Sequence, residues 1–163
     1  GTPKTPSVFF VHHLPPHPPY LFKADCAVRK TFKFDFKAWS AESKPLYAAN
    51  VQCTNKKILS FLDWINVNDP LAIIVITGDH GTAFSHKNFD KTNVSERSSV
   101  LTMARFPSRC QVGLSPFVNS INLMRMAMAC AENKAPVLLE NKIYQGSYKK
   151  KGKNAGKVKL VQP

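Results

Sequence analysis

Acidic residues are scarce in this chain, which has 10 Asp and Glu against 23 Lys and Arg and a formal net charge of +13. Long apolar runs are absent too, which argues against a membrane-spanning helix within these residues. No secretory signal peptide is visible, although a mature piece of an exported protein would look the same. The cysteines form no CxxC pair, so their spacing matches no common zinc or redox motif.

The chain nevertheless has the composition of a globular domain. It contains 163 residues, of which 44% are hydrophobic, enough for one domain with a sizeable core. The positive charge is concentrated in Lys149–Lys159, which has six lysines and no acid. Such a run is typical of a solvated, flexible tail, but it could instead meet anionic lipid head groups or nucleic acid. We favour a tail, because the run lacks the interleaved aromatics and arginines of a nucleic-acid surface.

The four cysteines leave the redox state of the chain open. Cys53 and Cys130 fall inside predicted helices, where a small buried thiol is common. One disulfide is possible if the protein is exported, but the sequence alone does not decide it.

The most informative segment is Leu71–Gly81, which reads LAIIVITGDHG. Its short aliphatic run, closed by a glycine, predicts a strand over Leu71–Gly78 that is buried in a parallel sheet. Asp79 and His80 follow that strand directly. Open α/β sheets bind ligands just beyond the carboxyl ends of their strands, and Asp and His are both metal-ligand types. We therefore expect a metal site here.

Further strands and helices are predicted around this segment. Val8–His13 is a strand candidate that the proline-rich PPHPPY sequence ends, and a helix is predicted from Pro45 to about Asn66. Together with Leu71–Gly78 they form a predicted β-α-β unit with parallel strands. The remaining expectations are an edge strand around Phe32–Phe36, a strand over Ser99–Phe106 and a helix from Ser115 to about Asn133. Val118, Ile121, Met124/Arg125 and Met128 continue that helix, and its three methionines, Met124, Met126 and Met128, are expected to fill the core. The predicted fold class is α/β, with a mostly parallel sheet flanked by helices.

Two histidines near the first strand are candidates for the same site. His12 ends the predicted strand Val8–His13, and His17 lies in the proline-rich turn beyond it. Because parallel strands end at the same sheet edge, His17 and His80 are expected to converge on one cleft. A histidine beside a carboxylate suits a divalent metal or a phosphate oxygen. The alternative is that His17 is simply a surface loop residue.

Several segments together resemble a known family. In chain order they are VHHLPPHPPYLF, YAANVQCTNKKILSFLDWI, IIVITGDHG, SERSSVLTMARFP and LSPFVNSINLM. They resemble consecutive landmarks of a sulfatase-like family of the alkaline phosphatase superfamily, whose relatives include phosphoethanolamine transferases and lipoteichoic acid synthase-like enzymes. The resemblance covers nearly the whole chain, and its most specific parts are the PHPPY turn and the GDHG strand end.

The resemblance implies a role for each candidate residue. Asp79 and His80 would bind a divalent cation (Mn, Zn, Mg or Ca), and His17 would face the phosphate or sulfate group of the substrate. His12 matches a recurrent position near the substrate. The chain would be part of a hydrolase or transferase with an alkaline phosphatase-like fold that acts on phosphate or sulfate esters, a lipid-linked ester among them.

The resemblance also implies that the chain is a partial domain. Residues 1–148 would be the C-terminal part of the catalytic domain and residues 149–163 a basic, lysine-rich tail. The nucleophile would lie outside the chain, in the N-terminal half of the domain, which is thus the expected partner. The parent would be membrane-anchored and its domain extracytoplasmic. Two alternatives stay open: a non-catalytic interaction module of the same fold, and a basic nucleic-acid-binding domain, although no specific nucleic acid is expected.

Overall fold

The structure is a computed structural model that describes residues 6–30, 39–85, 93–110, 113, 118–147, 151–152 and 155–161. The chain divides into two compact units, Gly1–Pro70 and Leu71–Pro163. Among the helices in these described ranges, none is both long and apolar enough to cross a membrane.

One long helix dominates the first unit. A short 3-10 helix, Ala41–Ser43, leads into helix α1, Lys44–Asn68, and Pro45 occupies the first turn, where its missing N–H costs nothing. The predicted helix is therefore confirmed. Its predicted apolar stripe, which includes Tyr47 and Ile58, is only half-buried. The fully buried positions of α1 are instead Asn50, Cys53 and Thr54.

Residues 20–29 form a loop that is fastened to α1. The side chain of Asn50 binds both backbone groups of Phe22: its Oδ1 accepts from the amide at 3.3 Å and its Nδ2 donates to the carbonyl at 2.9 Å. A disulfide joins Cys26 to Cys53, and Lys56 Nζ donates to the carbonyl of Ala24 at 3.0 Å. The loop is thus held by a covalent bond and by hydrogen bonds to its main chain.

A two-stranded sheet and a helix form the centre of the second unit. Strand β1, Ile74–Thr77, pairs with strand β2, Thr102–Arg105, and the short helix α2, Val94–Ser98, lies between them in sequence. Helix α3, Ser120–Ala131, begins at the N-cap Asn119 and packs against β1. Strands β3, Ile143–Gly146, and β4, Val158–Val161, form an antiparallel hairpin.

The buried face of α3 includes only part of the expected methionine core. Leu123, Met126 and Cys130 are almost fully buried, and Cys130 forms a disulfide with Cys110. Of the three methionines expected in the core, Met126 is therefore confirmed, whereas Met124 and Met128 are about half-exposed, so the expectation is wrong for those two. The reason is that α3 is apolar on more than one side, and hydrophobic spacing then does not identify the face that is buried.

The parallel sheet of the predicted fold class is not found among the described residues. Strand β1 is antiparallel to β2, with Ile74 opposite Arg105 and Thr77 opposite Thr102. Val8–His13 is not a strand, and its apolar side chains are exposed. The β-α-β prediction is therefore wrong for these segments. An aliphatic run sets the tendency to form a strand, but it does not encode the direction or identity of the partner. The predicted edge strand around Phe32–Phe36 lies outside the described residues.

The predicted lysine-rich tail contains part of the β3–β4 hairpin. Val158–Val161 of that segment is β4, and its register places Tyr144 opposite Leu160 and Gln145 opposite Lys159. The amide of Ser147 donates to the carbonyl of Lys157 at 2.9 Å and extends the pairing by one step. This end of the chain therefore has regular structure that composition alone did not indicate.

Candidate functional site

Asp79 and His80 lie in a turn that directly follows β1. Gly78 continues the strand pairing by donating its amide to the carbonyl of Leu101 at 3.0 Å, and the chain then turns through Asp79, His80 and Gly81. The amide of His80 donates to Asp79 Oδ1 at 3.0 Å, which orients the carboxylate along the turn. The second oxygen, Oδ2, lies 3.3 Å from His80 Nε2. The two predicted metal ligands are therefore adjacent in space as well as in sequence.

The hydrogen bond of the other ring nitrogen fixes the tautomer of His80. His80 Nδ1 lies 3.0 Å from the carbonyl oxygen of Gly81, which can only accept, so Nδ1 carries a hydrogen. In a neutral ring, Nε2 then presents a lone pair toward Asp79 Oδ2. An imidazole nitrogen and a carboxylate oxygen this close together are two donors that one metal ion can bind. Metal-bound histidines commonly donate their second N–H to a backbone carbonyl in this way.

Gly81 allows the turn to pack closely on helix α2. A Cβ at this position would overlap the carbonyl oxygen of Glu96 and lie 2.6 Å from that of Ser99. The amide of Gly81 donates to the carbonyl of Arg97 at 2.7 Å, and Arg97 Nη1 donates back to the carbonyl of Gly81 at 2.8 Å. Only glycine fits against this backbone, so α2 and the turn form one packed unit.

The carboxylate of Glu96 holds the residues that follow the turn. Its Oε1 accepts from Thr82 Oγ1 and from the amide of Phe84, both at 2.6 Å. Its Oε2 accepts from the amide of Ser85 at 3.0 Å and from the Ser85 hydroxyl. Glu96 itself lies in the first turn of α2, where Asn93 Oδ1 caps its amide. We call Glu96 and Arg97 the α2 clamp, because together they fix the backbone on the C-terminal side of His80.

The electrostatics of Glu96 match this role. Burial by itself raises the pKa of the carboxyl group, but the hydrogen bonds from Ser85, Thr82 and Phe84 outweigh it and lower the pKa to about 2. Glu96 is therefore an anion under ordinary conditions. Sequence reasoning missed this residue because its donors are 11 to 14 positions away, and no local motif links them. The only available signal was an acid in the first turn of a capped helix.

The histidines of the first unit lie in an exposed stretch. His17 is exposed within the proline-rich turn, where its amide donates to the carbonyl of Leu14 at 3.0 Å and its Nδ1 to that of Pro18 at 2.5 Å. His17 Nε2 is thus the nitrogen left for another group. His12 is exposed as well. The convergence of His17 with His80 stays a prediction, and so does the substrate role of His12.

Within the described ranges, no group of three or more His, Cys, Asp or Glu side chains is placed to hold a metal ion. Asp79 and His80 are thus a two-ligand arrangement. A metal bound tightly by proteins has three or four protein ligands, so two alone are expected to bind weakly.

Comparison with known proteins gives one match. No curated protein and no solved structure matches the chain. The Sulfatase family profile, however, matches residues 1–132, which include the proline-rich turn, α1, the turn with Asp79 and His80, the α2 clamp and all of α3. Enzymes of this family generally use divalent metal ions. The match covers most of the chain, and the chain therefore belongs to the sulfatase family.

Proposed function

We propose that this chain contributes metal ligands to a hydrolase or transferase that acts on phosphate or sulfate esters. Asp79 and His80 would hold a divalent cation, and the remaining ligands and the nucleophile would come from outside these residues. The family match supports a sulfatase-like or phosphoesterase-like hydrolase. The finer assignment depends on the geometry at the end of β1.

The observation that carries the proposal is the pairing of His80 Nε2 with Asp79 Oδ2 at 3.3 Å. The hydrogen bond from Nδ1 to the carbonyl of Gly81 leaves Nε2 as the nitrogen available to a metal. An imidazole and a carboxylate are a donor set that suits Zn²⁺ or Mn²⁺. Most of the Asp79 side chain is exposed, at 86%, so a cation can reach it.

A metal held here would supply Lewis-acid chemistry: it would lower the pKa of a bound hydroxyl and neutralise charge on the transferred group. The chain's own residues would hold the metal ligand His80 in place and orient the phosphate or sulfate group. The α2 clamp would keep His80 in one position, which pre-organised catalysis requires. His17, with Nε2 unengaged by its turn, would donate to equatorial oxygens of the phosphate or sulfate as charge develops on them.

We also propose that the parent protein is exported and that this domain is extracytoplasmic. All four cysteines are paired, as Cys26–Cys53 and Cys110–Cys130. Structural disulfides persist in oxidising compartments and are rare in reducing ones. The pairing supports this location, and free-thiol labelling of the natural protein with and without reductant tests it: only the reduced sample should react.

The metal site can be tested on the chain itself by paramagnetic broadening. Mn²⁺ added to isotope-labelled protein should broaden the amide signals of Asp79, His80 and Gly81 first. This selectivity should be visible even if binding is weak, with a dissociation constant near the millimolar range. Asp79→Asn removes one ligand charge with little change in shape and should abolish the selective broadening. Asp63→Asn is the matched control, because Asp63 is an exposed aspartate on α1.

Two results would contradict the proposal. One is uniform broadening that follows the exposed carboxylates as a whole. The other is selective broadening that survives Asp79→Asn. Activity gives a second readout: without further ligands and a nucleophile, the chain alone should not turn over aryl phosphate or aryl sulfate with Mn²⁺, Zn²⁺ or Mg²⁺, since partial constellations lose most of the rate. Robust turnover would place the nucleophile within these residues.

A further inference from the structure

The β3–β4 hairpin has its exposed apolar side chains on one face and its exposed lysines on the other. The register places Tyr144, Leu160 and Val158 on one face, where they are 60%, 44% and 65% exposed. Lys157 and Lys159 alternate with them, so they belong to the other face together with the half-buried Ile143 and Val161, and both lysines are exposed. The hairpin thus has an exposed apolar face on one side and exposed lysines on the other, a separation also found in interfacial helices.

The charge of the hairpin is of one sign. No Asp or Glu occurs after Glu140, and Lys142, which pairs with Glu140 at 2.7 Å, is the last lysine with an acidic partner among the described residues. The exposed Lys151, Lys157 and Lys159 follow it. Lysine stems are long and flexible, so their ammonium groups can reach the plane of the apolar face while the stems cover the sheet.

We infer that this hairpin is a docking surface for an anionic bilayer, with Tyr144, Val158 and Leu160 at the interface and Lys151, Lys157 and Lys159 at the lipid head groups. Tyrosine is typical of the membrane interface, where its ring is apolar and its hydroxyl is wet. Lysines near an anionic surface each add affinity, and this attraction does not require a fixed geometry.

The chemistry of the hairpin favours a bilayer over nucleic acid. No arginine follows Arg125, whereas Arg is the residue that recognises phosphates and base edges by paired hydrogen bonds. Exposed aliphatic side chains such as Val158 and Leu160 gain nothing from a phosphate backbone but are stabilised in the acyl boundary. The inference does not rest on the metal site, so Asp79→Asn should leave it unchanged.

Vesicle co-sedimentation of the 163-residue chain tests the inference. The chain should bind vesicles of phosphatidylcholine with one third phosphatidylglycerol, bind pure phosphatidylcholine vesicles far more weakly, and dissociate as salt is added. Lys157→Gln with Lys159→Gln should weaken binding about 25-fold, at about fivefold per lysine. Tyr144→Thr with Leu160→Thr should weaken it about 10-fold and keep the strand propensity.

Matched controls separate this surface from the net charge. Lys23→Gln with Lys30→Gln removes two exposed lysines from the first unit and should change binding less than twofold. Amide exchange of Gln145 and Lys159 shows whether each variant keeps the hairpin, and the lipid and salt comparisons need no variant at all.

Four outcomes would overturn the inference. Equal binding to neutral and anionic vesicles would exclude the lysines, and equal losses in both lysine pairs would reduce the effect to net charge. Tighter binding to duplex DNA than to vesicles, lost with Lys157→Gln and Lys159→Gln, would make the surface one for nucleic acid. A concentration-dependent dimer that Tyr144→Thr with Leu160→Thr abolishes would show that a second copy covers the apolar face.

Discussion

The two turns that carry His17 and His80 are held in opposite ways. The turn around His17 contains Pro15, Pro16, Pro18 and Pro19, and its described backbone hydrogen bond, from His17 to Leu14, is local. The turn around His80 is flanked by Gly78 and Gly81 and is held by Glu96 and Arg97, far along the chain. Proline restricts the backbone by itself, whereas glycine makes a turn possible but leaves its shape to its neighbours.

This difference predicts which substitutions should destabilise each turn. The first turn should tolerate loss of its histidine, because the prolines that shape it remain. The second should be sensitive to substitutions that touch neither Asp79 nor His80. Four predictions test this comparison, from the largest expected effect to the smallest.

Gly81→Ala should damage the second turn most. The added Cβ would overlap the carbonyl oxygen of Glu96 and crowd that of Ser99 at 2.6 Å, so the backbone must move. We expect the free energy of amide exchange in β1 to fall by about 3 kcal/mol. Gly146→Ala is the control, since nothing lies within 4 Å of the point that its added methyl group would occupy. Equal effects of the two variants would contradict close packing on α2.

Glu96→Ala should have the next largest effect. It removes a charged acceptor that Thr82, Phe84 and Ser85 share, and the expected loss of stability is about 2 kcal/mol. Glu132→Ala removes the same charge from an exposed ion pair with Lys134 and should cost far less stability, because solvent screens exposed pairs. Chemical denaturation of both variants measures the difference. Similar losses would show that Glu96 acts only through net charge.

Protonation of Glu96 at low pH should cause part of the loss of stability that Glu96→Ala causes. The pKa of Glu96 is about 2 in the folded chain, against an ordinary value of 4.5 for the unfolded one. A carboxyl group with a lowered folded pKa stabilises the protein fully above the unfolded value, and this is lost as the pH falls through the folded one. The stability difference between the native chain and Glu96→Gln should therefore be constant above about pH 4.5 and shrink toward pH 2. A stability difference that does not change with pH would show that Glu96 stabilises the chain through the packing of its side chain and not through its charge.

His17→Ala should have the smallest effect on stability. The side chain is exposed and its described hydrogen bond is to the next residue, Pro18. The free energy of unfolding should change by less than about 0.5 kcal/mol, which thermal denaturation measures. In a domain that carries the remaining catalytic groups, the same variant should still lower turnover, since Nε2 is free to meet a substrate oxygen. Large destabilisation without loss of turnover would make His17 a structural residue.

The sequence predicted elements more successfully than their arrangement. The α1 helix and the strands β1 and β2 lie within or close to their predicted ranges, because apolar spacing and Pro45 act locally. Pairing direction was wrong for β1, whose side chains are half-buried rather than covered on both faces. A run of Ile and Val is compatible with parallel and with antiparallel pairing. The pairing direction of β1 is therefore decided by contacts with the rest of the chain.

The placement of the candidate residues was predictable, whereas their role as metal ligands stays a prediction. Asp79 and His80 follow a strand and stand beside each other, as GDHG indicated. The tautomer of His80, fixed by the Gly81 carbonyl, was not predictable, since it depends on the ring orientation. Glu96 and Arg97 were missed because their partners are distant in sequence and become neighbours only when α2 packs on the turn.

Two buried asparagines have a consequence for which substitutions the protein can accumulate. The side chain of Asn50 binds the backbone N–H and C=O of Phe22, and that of Asn122 binds those of Leu139 at 2.8 and 2.7 Å. Each asparagine side chain thus makes the pair of hydrogen bonds that a neighbouring β-strand residue would make. Aspartate lacks the donor and leucine lacks both groups, so neither asparagine has a substitute of its own length. Phe22 and Leu139 are each bound by their asparagine through main-chain groups only. In natural variants or a mutational scan, positions 50 and 122 should therefore stay asparagine, while positions 22 and 139 should accept more substitutions than the asparagines do, proline excepted.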